Sequence, residues 1–131
     1  MIRYDLTKYL THGATAFLGL SAYDVLVDGR RFDNYVVKDG ATFALSSISS
    51  LWFTDLLADV WAGMSRESIQ GMLAKPLINA ALYMYLYNYM VRQNYENNRS
   101  NNENFVMAGI GDVLLKWIEN PIASLFGYRN Y

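Results

Sequence analysis

A chain of 131 residues that is 53% hydrophobic and 18% charged fits one domain with an apolar leaning, while a mean hydropathy of +0.03 leaves a soluble helical protein open. A net charge of −1 with both signs scattered provides no basic stripe to grip phosphates, which excludes a nucleic-acid binder. Zero cysteines exclude disulfides, thiolate zinc sites and cysteine nucleophiles.

The opening MIRYDLTKYL alternates charged and apolar residues, unlike the continuous apolar core of a signal peptide, so any membrane insertion is expected to use internal segments. A first helix is expected over about residues 5–27, capped by Asp5 or Thr7 and ended by the turn signal Asp28-Gly29. Gly13, Ala16 and Leu20, with Gly19 nearby, form a stripe suited to close helix contact. Residues 28–40, bracketed by two Asp-Gly pairs, read as a solvated loop with room for a short strand at Tyr35–Val37.

The second helix, expected over 41–64, is the longest well-defined element. Ser46 and Ser50 are among the small residues of its first half, and Asp55 and Asp59 stand one turn apart on one face. Gly13–Leu18 and Gly40–Leu45 resemble each other, each followed by an intrahelical aspartate, Asp24 or Asp55, which makes the first two helices a weak internal repeat.

Ser65 can cap a short amphipathic piece reaching Leu73, after which Pro76 opens a third helix that runs uncharged to Val91. Tyr83, Tyr85, Tyr87 and Tyr89 alternate with Met, Leu and Asn, a period-2 pattern, but the surrounding Ala, Leu and Met favour helix. On a helix these tyrosines form a belt near one end, with rings dry and hydroxyls in water. The Asn-rich stretch 92–104 reads as a loop or partner-contact segment. A fourth helix is expected from about Asn104 to Trp117, with Gly109 and Gly111 just before Asp112, and Pro121 breaks it. Trp117, Tyr128 and Tyr131 suit an interface.

A membrane span takes about 20 apolar residues. No uncharged run here reaches that length, so each span must include an acid turned to the bundle interior or protonated. The aromatic content and the Ser-Ala-Gly faces tip the expectation towards an all-α, four-helix, membrane-embedded bundle. Basic residues divide six to five between the two sides, so orientation does not follow from them.

Candidate chemistry is sparse. His12 is the sole histidine and reads as a polar residue at a helix start. Asp24, Asp55, Asp59 and Asp112 could gather as a carboxylate cluster for a divalent cation or a proton path; as structural acids they would pair with Lys or Arg or accept from Ser and Tyr hydroxyls. Gly109-x-Gly111 is too short for a dinucleotide fingerprint and fits helix contact. No catalytic, cofactor or metal residue is expected.

In its repeated pattern of apolar helix, late aspartate and short charged loop, the chain resembles the small multi-helix membrane proteins of large icosahedral double-stranded DNA viruses. The stretches carrying this likeness are GATAFLGLSAYD ending at Asp24, Ala41 to Asp59, and FVMAGIGD ending at Asp112. The resemblance implies a non-enzymatic minor capsid component in the membrane beneath the capsid. Loops 28–40 and 92–104 would then face partners. Its partners would be lipid, other capsid or membrane proteins and further copies of itself. A small cation channel and a soluble helical adaptor are the alternatives.

Overall fold

In the computed structural model, which describes residues 6–60, 69–92 and 100–125, the described residues form four α-helices and no strand. They are α1 (Leu6–Leu26), α2 (Asn34–Val60), α3 (Ile69–Met90) and α4 (Asn101–Leu125). Successive helices run antiparallel. Lys8 and Gly13 of α1 meet Asp55 and Ile48 of α2, Ser46 and Ser50 of α2 meet Asn79 and Lys75 of α3, and Lys75 and Ala80 of α3 meet Asp112 and Gly109 of α4. Packing of α4 on α1 closes the ring.

Three helices begin earlier than their sequence suggests. Residues 34–40 are the first two turns of α2 and not a loop or strand, because Asp33 caps them: its Oδ1 accepts from the backbone N–H of Tyr35 at 3.0 Å and of Val36 at 3.4 Å. The Asp39-Gly40 turn signal is overridden, since α2 needs a glycine there for another reason. A Cβ on Gly40 would stand 2.8 Å from Ser21 Oγ and 3.0 Å from Phe17 Cδ2 of α1. At Asp28-Gly29 the turn forms as expected, with Gly29 at φ 69°.

α3 starts at Ile69, so Pro76 lies inside it and does not open it. A proline there removes one intrahelical N–H bond, and side-chain bonds from Lys75 and Asn79 on either side hold the helix through the gap. α4 starts at Asn101 because Ser100 caps it, accepting from the Glu103 backbone N–H at 3.2 Å; Ser100-x-x-Glu103 is a capping sequence inside the Asn-rich stretch. Pro121 is likewise within α4. The expected end of the second helix at Met64, the Ser65 cap, the middle of the Asn-rich segment and the tail tyrosines Tyr128 and Tyr131 lie outside the described residues.

Of the glycines expected to bring helices together, Gly13 does so: a Cβ there would lie 2.4 Å from Ile48 Cδ1. At Gly19, Gly109 and Gly111 the approach is looser. Added Cβ atoms would find Leu115 at 3.9 Å, Ala80 at 3.9 Å and Phe43 at 3.4 Å, ordinary contact distances that leave room for a methyl. No helix among the described residues is long and apolar enough to cross a membrane.

Candidate functional site

The inward faces of the helices carry many polar side chains beside the apolar core. On α3, Lys75, Asn79, Tyr83 and Tyr87 recur every four residues, the spacing that stacks side chains on one helix face, and all four are buried. α2 presents Tyr35, Asp39, Thr42, Ser46, Ser47, Ser50 and Thr54 to the same interior, α1 presents His12 and Asp24, and α4 presents Asn104 and Asp112, all buried.

These groups bond across helices. Lys75 Nζ donates to Asp112 Oδ1 and, at 3.4 Å, to Ser50 Oγ. Asn79 links three helices: its Nδ2 donates to Asp112 Oδ1 at 2.8 Å and Ser47 Oγ at 3.1 Å, while its Oδ1 accepts from Ser46 Oγ at 2.8 Å. One turn further on, the Tyr83 hydroxyl donates to Asp39 Oδ1, and beyond it the Tyr35 and Tyr87 hydroxyls share a hydrogen bond. Arg30 lies over the Tyr35 ring at 3.6 Å, closing that end. At the other end Lys8 Nζ and Tyr9 Oη both donate to Asp55 Oδ2, at 2.9 and 2.7 Å.

Much of the remaining hydroxyl capacity is used within the helices. Thr15, Thr42, Ser50 and Thr54 each donate to a backbone carbonyl three or four residues back.

The structure keeps apart the three expected acids whose side chains are described, Asp24, Asp55 and Asp112. Asp55 is held by Lys8 and Tyr9, Asp112 by Lys75 and Asn79, and Asp24 is buried on α1 towards the opposite end from Asp55. The side chain of Asp59 lies outside the described residues. No group of three or more His, Cys, Asp or Glu side chains able to hold a metal ion occurs among the described residues. A cation seeking Asp112 or Asp55 would have to displace a lysine ammonium already in place.

Ser46 and Ser50 are buried as expected of packing residues, but they also bond to α3. The tyrosine belt is corrected. Tyr83 and Tyr87 are core residues whose hydroxyls bond inside the bundle, while Tyr85 and Tyr89 are exposed and lie against each other at 5.9 Å; the helical period separates one pair from the other. Trp117 is exposed, as an interface aromatic requires.

Lys75, Asn79 and Asp39 were not legible as site residues. The signal for Lys75 and Asn79 is the four-residue recurrence from Lys75 to Tyr87, which the tyrosine alternation obscures, whereas Asp39 stands in an Asp-Gly pair that reads as a turn. No family model, curated protein or solved structure matches the chain.

Proposed function

We propose that the chain is a non-enzymatic structural protein seated in a lipid membrane. In keeping with its resemblance, it acts as a minor capsid component of a large DNA virus that links the internal membrane to the capsid lattice. One observation carries the membrane part of this reading: a hydrogen-bonded polar network lies inside the bundle beside its apolar core, while the outward faces of α1, α3 and α4 are apolar.

On α1 from Leu10 to Leu26, the exposed residues are Leu10, Ala14, Leu18, Gly19, Ala22 and Leu26. On α3 from Leu73 to Met90 they are Leu73, Leu77, Ala81, Tyr85, Tyr89 and Met90. α4 exposes Val106, Ile110, Val113, Leu114, Trp117 and Ile118 along the same band, with no described charge among them. At 1.5 Å per residue the band is about 25 Å tall, close to the ~30 Å hydrocarbon core. Trp52, Phe53 and Trp117 mark one edge and Tyr85 and Tyr89 the other, the arrangement of interfacial aromatics.

The shortage of apolar character along any one helix has a physical reason within this reading. Each helix carries a polar inward stripe that lowers its mean hydropathy, whereas lipid meets only the outward face. The bundle inserts as a unit of matched polar interiors. Loop residues 28–33 and the start of α4 stand at one end and offer hydrogen-bonding groups to protein partners.

Alkaline-carbonate extraction of membranes from cells expressing the chain tests this. Retention in the pellet with release by detergent is expected. A dispersed species in the supernatant would end the membrane reading and favour a soluble helical adaptor whose apolar faces meet other proteins.

A second reading, a small cation channel, is favoured by the polar interior running from Asp55 to Tyr35. Cation flux into liposomes, abolished by Asp55→Asn, would support it over a purely structural role. The lysine partners of Asp55 and Asp112 weigh against it.

A further inference from the structure

The helix ring is not closed to the same depth all round. Between α1 and α4 a groove of about 650 Å³ opens from the outer surface down to Leu20, Phe43 and Leu115, which belong to the core. Val106, Ile110 and Leu114 of α4 form its exposed rim. Gly19 and Gly111 hollow it: neither is demanded by a close helix approach, and a larger residue at either would occupy the groove.

The polar lining is confined to one end, where Asn102 and Glu103 in the first turn of α4 lie with Tyr23 near the end of α1. Glu103 is the one charged side chain among the described lining residues. This is also the end of the bundle that carries Tyr85 and Tyr89, the depth of headgroups in the membrane reading.

We infer that this groove holds one acyl chain of an amine-headed bilayer phospholipid, with the ammonium at Glu103 and the tail running towards Ile118. The inference rests on the membrane reading. Among the described lining residues the mouth carries a carboxylate and an amide and no cation, a set that complements an ammonium and disfavours an anionic head or a free fatty acid. From Glu103 to Ile118 α4 rises about 22 Å, more than the roughly 15 Å of one leaflet's hydrocarbon. An ordinary tail therefore lies in the groove for its whole length. The lining below the mouth is Gly, Leu, Ile, Val, Met and Phe, which asks for an apolar occupant.

The test places the whole chain in nanodiscs of dioleoyl phosphatidylethanolamine and dioleoyl phosphatidylglycerol in equal amounts, transfers it to detergent, and identifies retained lipid by native mass spectrometry. One phosphatidylethanolamine is expected, favoured over phosphatidylglycerol about threefold, the scale of one exposed charge contact. Gly19→Met fills the groove with a flexible side chain and improves the helix, so its expected loss of retained lipid, about tenfold, is not a loss of fold. Glu103→Gln is expected to keep the lipid and lose the headgroup preference.

Equal retention of both lipids by the wild type, undiminished retention by Gly19→Met, or an unchanged preference in Glu103→Gln would overturn the assignment. Carbonate extraction of the same chain separates the two ideas. Pellet retention without a bound lipid overturns the groove occupant alone, and release to the supernatant overturns the membrane reading and the occupant together.

Discussion

Lys75 and Asp112 join α3 to α4 through an ammonium–carboxylate pair in which both side chains are 2% exposed. A pair this deep is favourable only relative to one charge left alone, because desolvating both ions offsets most of their attraction. Asp112→Leu strands the ammonium and also removes an acceptor of Asn79, so it is expected to cost about 3–5 kcal/mol. Lys75→Met combined with Asp112→Leu is expected to recover most of that loss, as an apolar pair of similar volume often does. Denaturant unfolding of the singles and the double, followed by circular dichroism, measures the coupling; equal losses in single and double variants would show that the pair does not act as a unit.

Asp55 invites a milder outcome. Its partner Lys8 and its own side chain are 11% and 15% exposed, so water reaches this pair more than it reaches Lys75 and Asp112, and the Tyr9 hydroxyl supplies the second bond. Asp55→Leu is expected to cost about 1–2 kcal/mol, combining a weak ion pair with one hydrogen bond. It should disturb yield and oligomeric state more than Asp28→Asn in the α1–α2 turn, yet less than Asp112→Leu. Size-exclusion profiles of the three variants give that order or refute it.

The glycines divide in the same way. At Gly40 an added methyl meets the ring of Phe17 at 3.0 Å and Ser21 Oγ at 2.8 Å, and α1 and α2 must part for it to fit. Gly40→Ala is expected to lose about 1–3 kcal/mol through overpacking. Gly109→Ala faces only Ala80 Cβ at 3.9 Å, and gains about 0.5–1 kcal/mol from the lower entropy cost of alanine in a helix. Thermal melts of the two variants should shift in opposite directions.

How much was legible in the sequence follows from which signals are local. Helix number and the Asp28-Gly29 turn rest on composition and turn chemistry within a few residues, and they hold. The starts of α2 and α4 are not legible because Asp33 and Ser100 sit among turn formers, where a cap looks like any other polar loop residue. Pro76 misled for a related reason: a proline suits a helix start, and only bonds made by Lys75 and Asn79 to another helix show that the helix continues through it. The acids are legible as intrahelical, but Lys75 is not legible as the partner of Asp112, since that pairing depends on how α3 and α4 are aligned. Tyrosine alternation likewise hid the four-residue stripe that runs inward.

That stripe yields the sharpest contrast between neighbours. Tyr83 and Tyr85 are two residues apart, yet Tyr83 is fully buried with its hydroxyl on Asp39, while Tyr85 is 61% exposed beside Tyr89. Removing the Tyr83 hydroxyl leaves the buried Asp39 Oδ1 without that donor, and a hydrogen bond to a charged group contributes about 1.5–3 kcal/mol. Tyr83→Phe is therefore expected to lose that amount, although the ring and its edge contact with Phe43 at 5.5 Å persist. Tyr85→Phe removes a hydroxyl with no bond to the bundle interior and is expected to stay within about 0.5 kcal/mol of the wild type. Denaturant unfolding of both variants under identical conditions compares them; equal effects would mean that α3 is rotated from the orientation described, and with it the inward stripe from Lys75 to Tyr87.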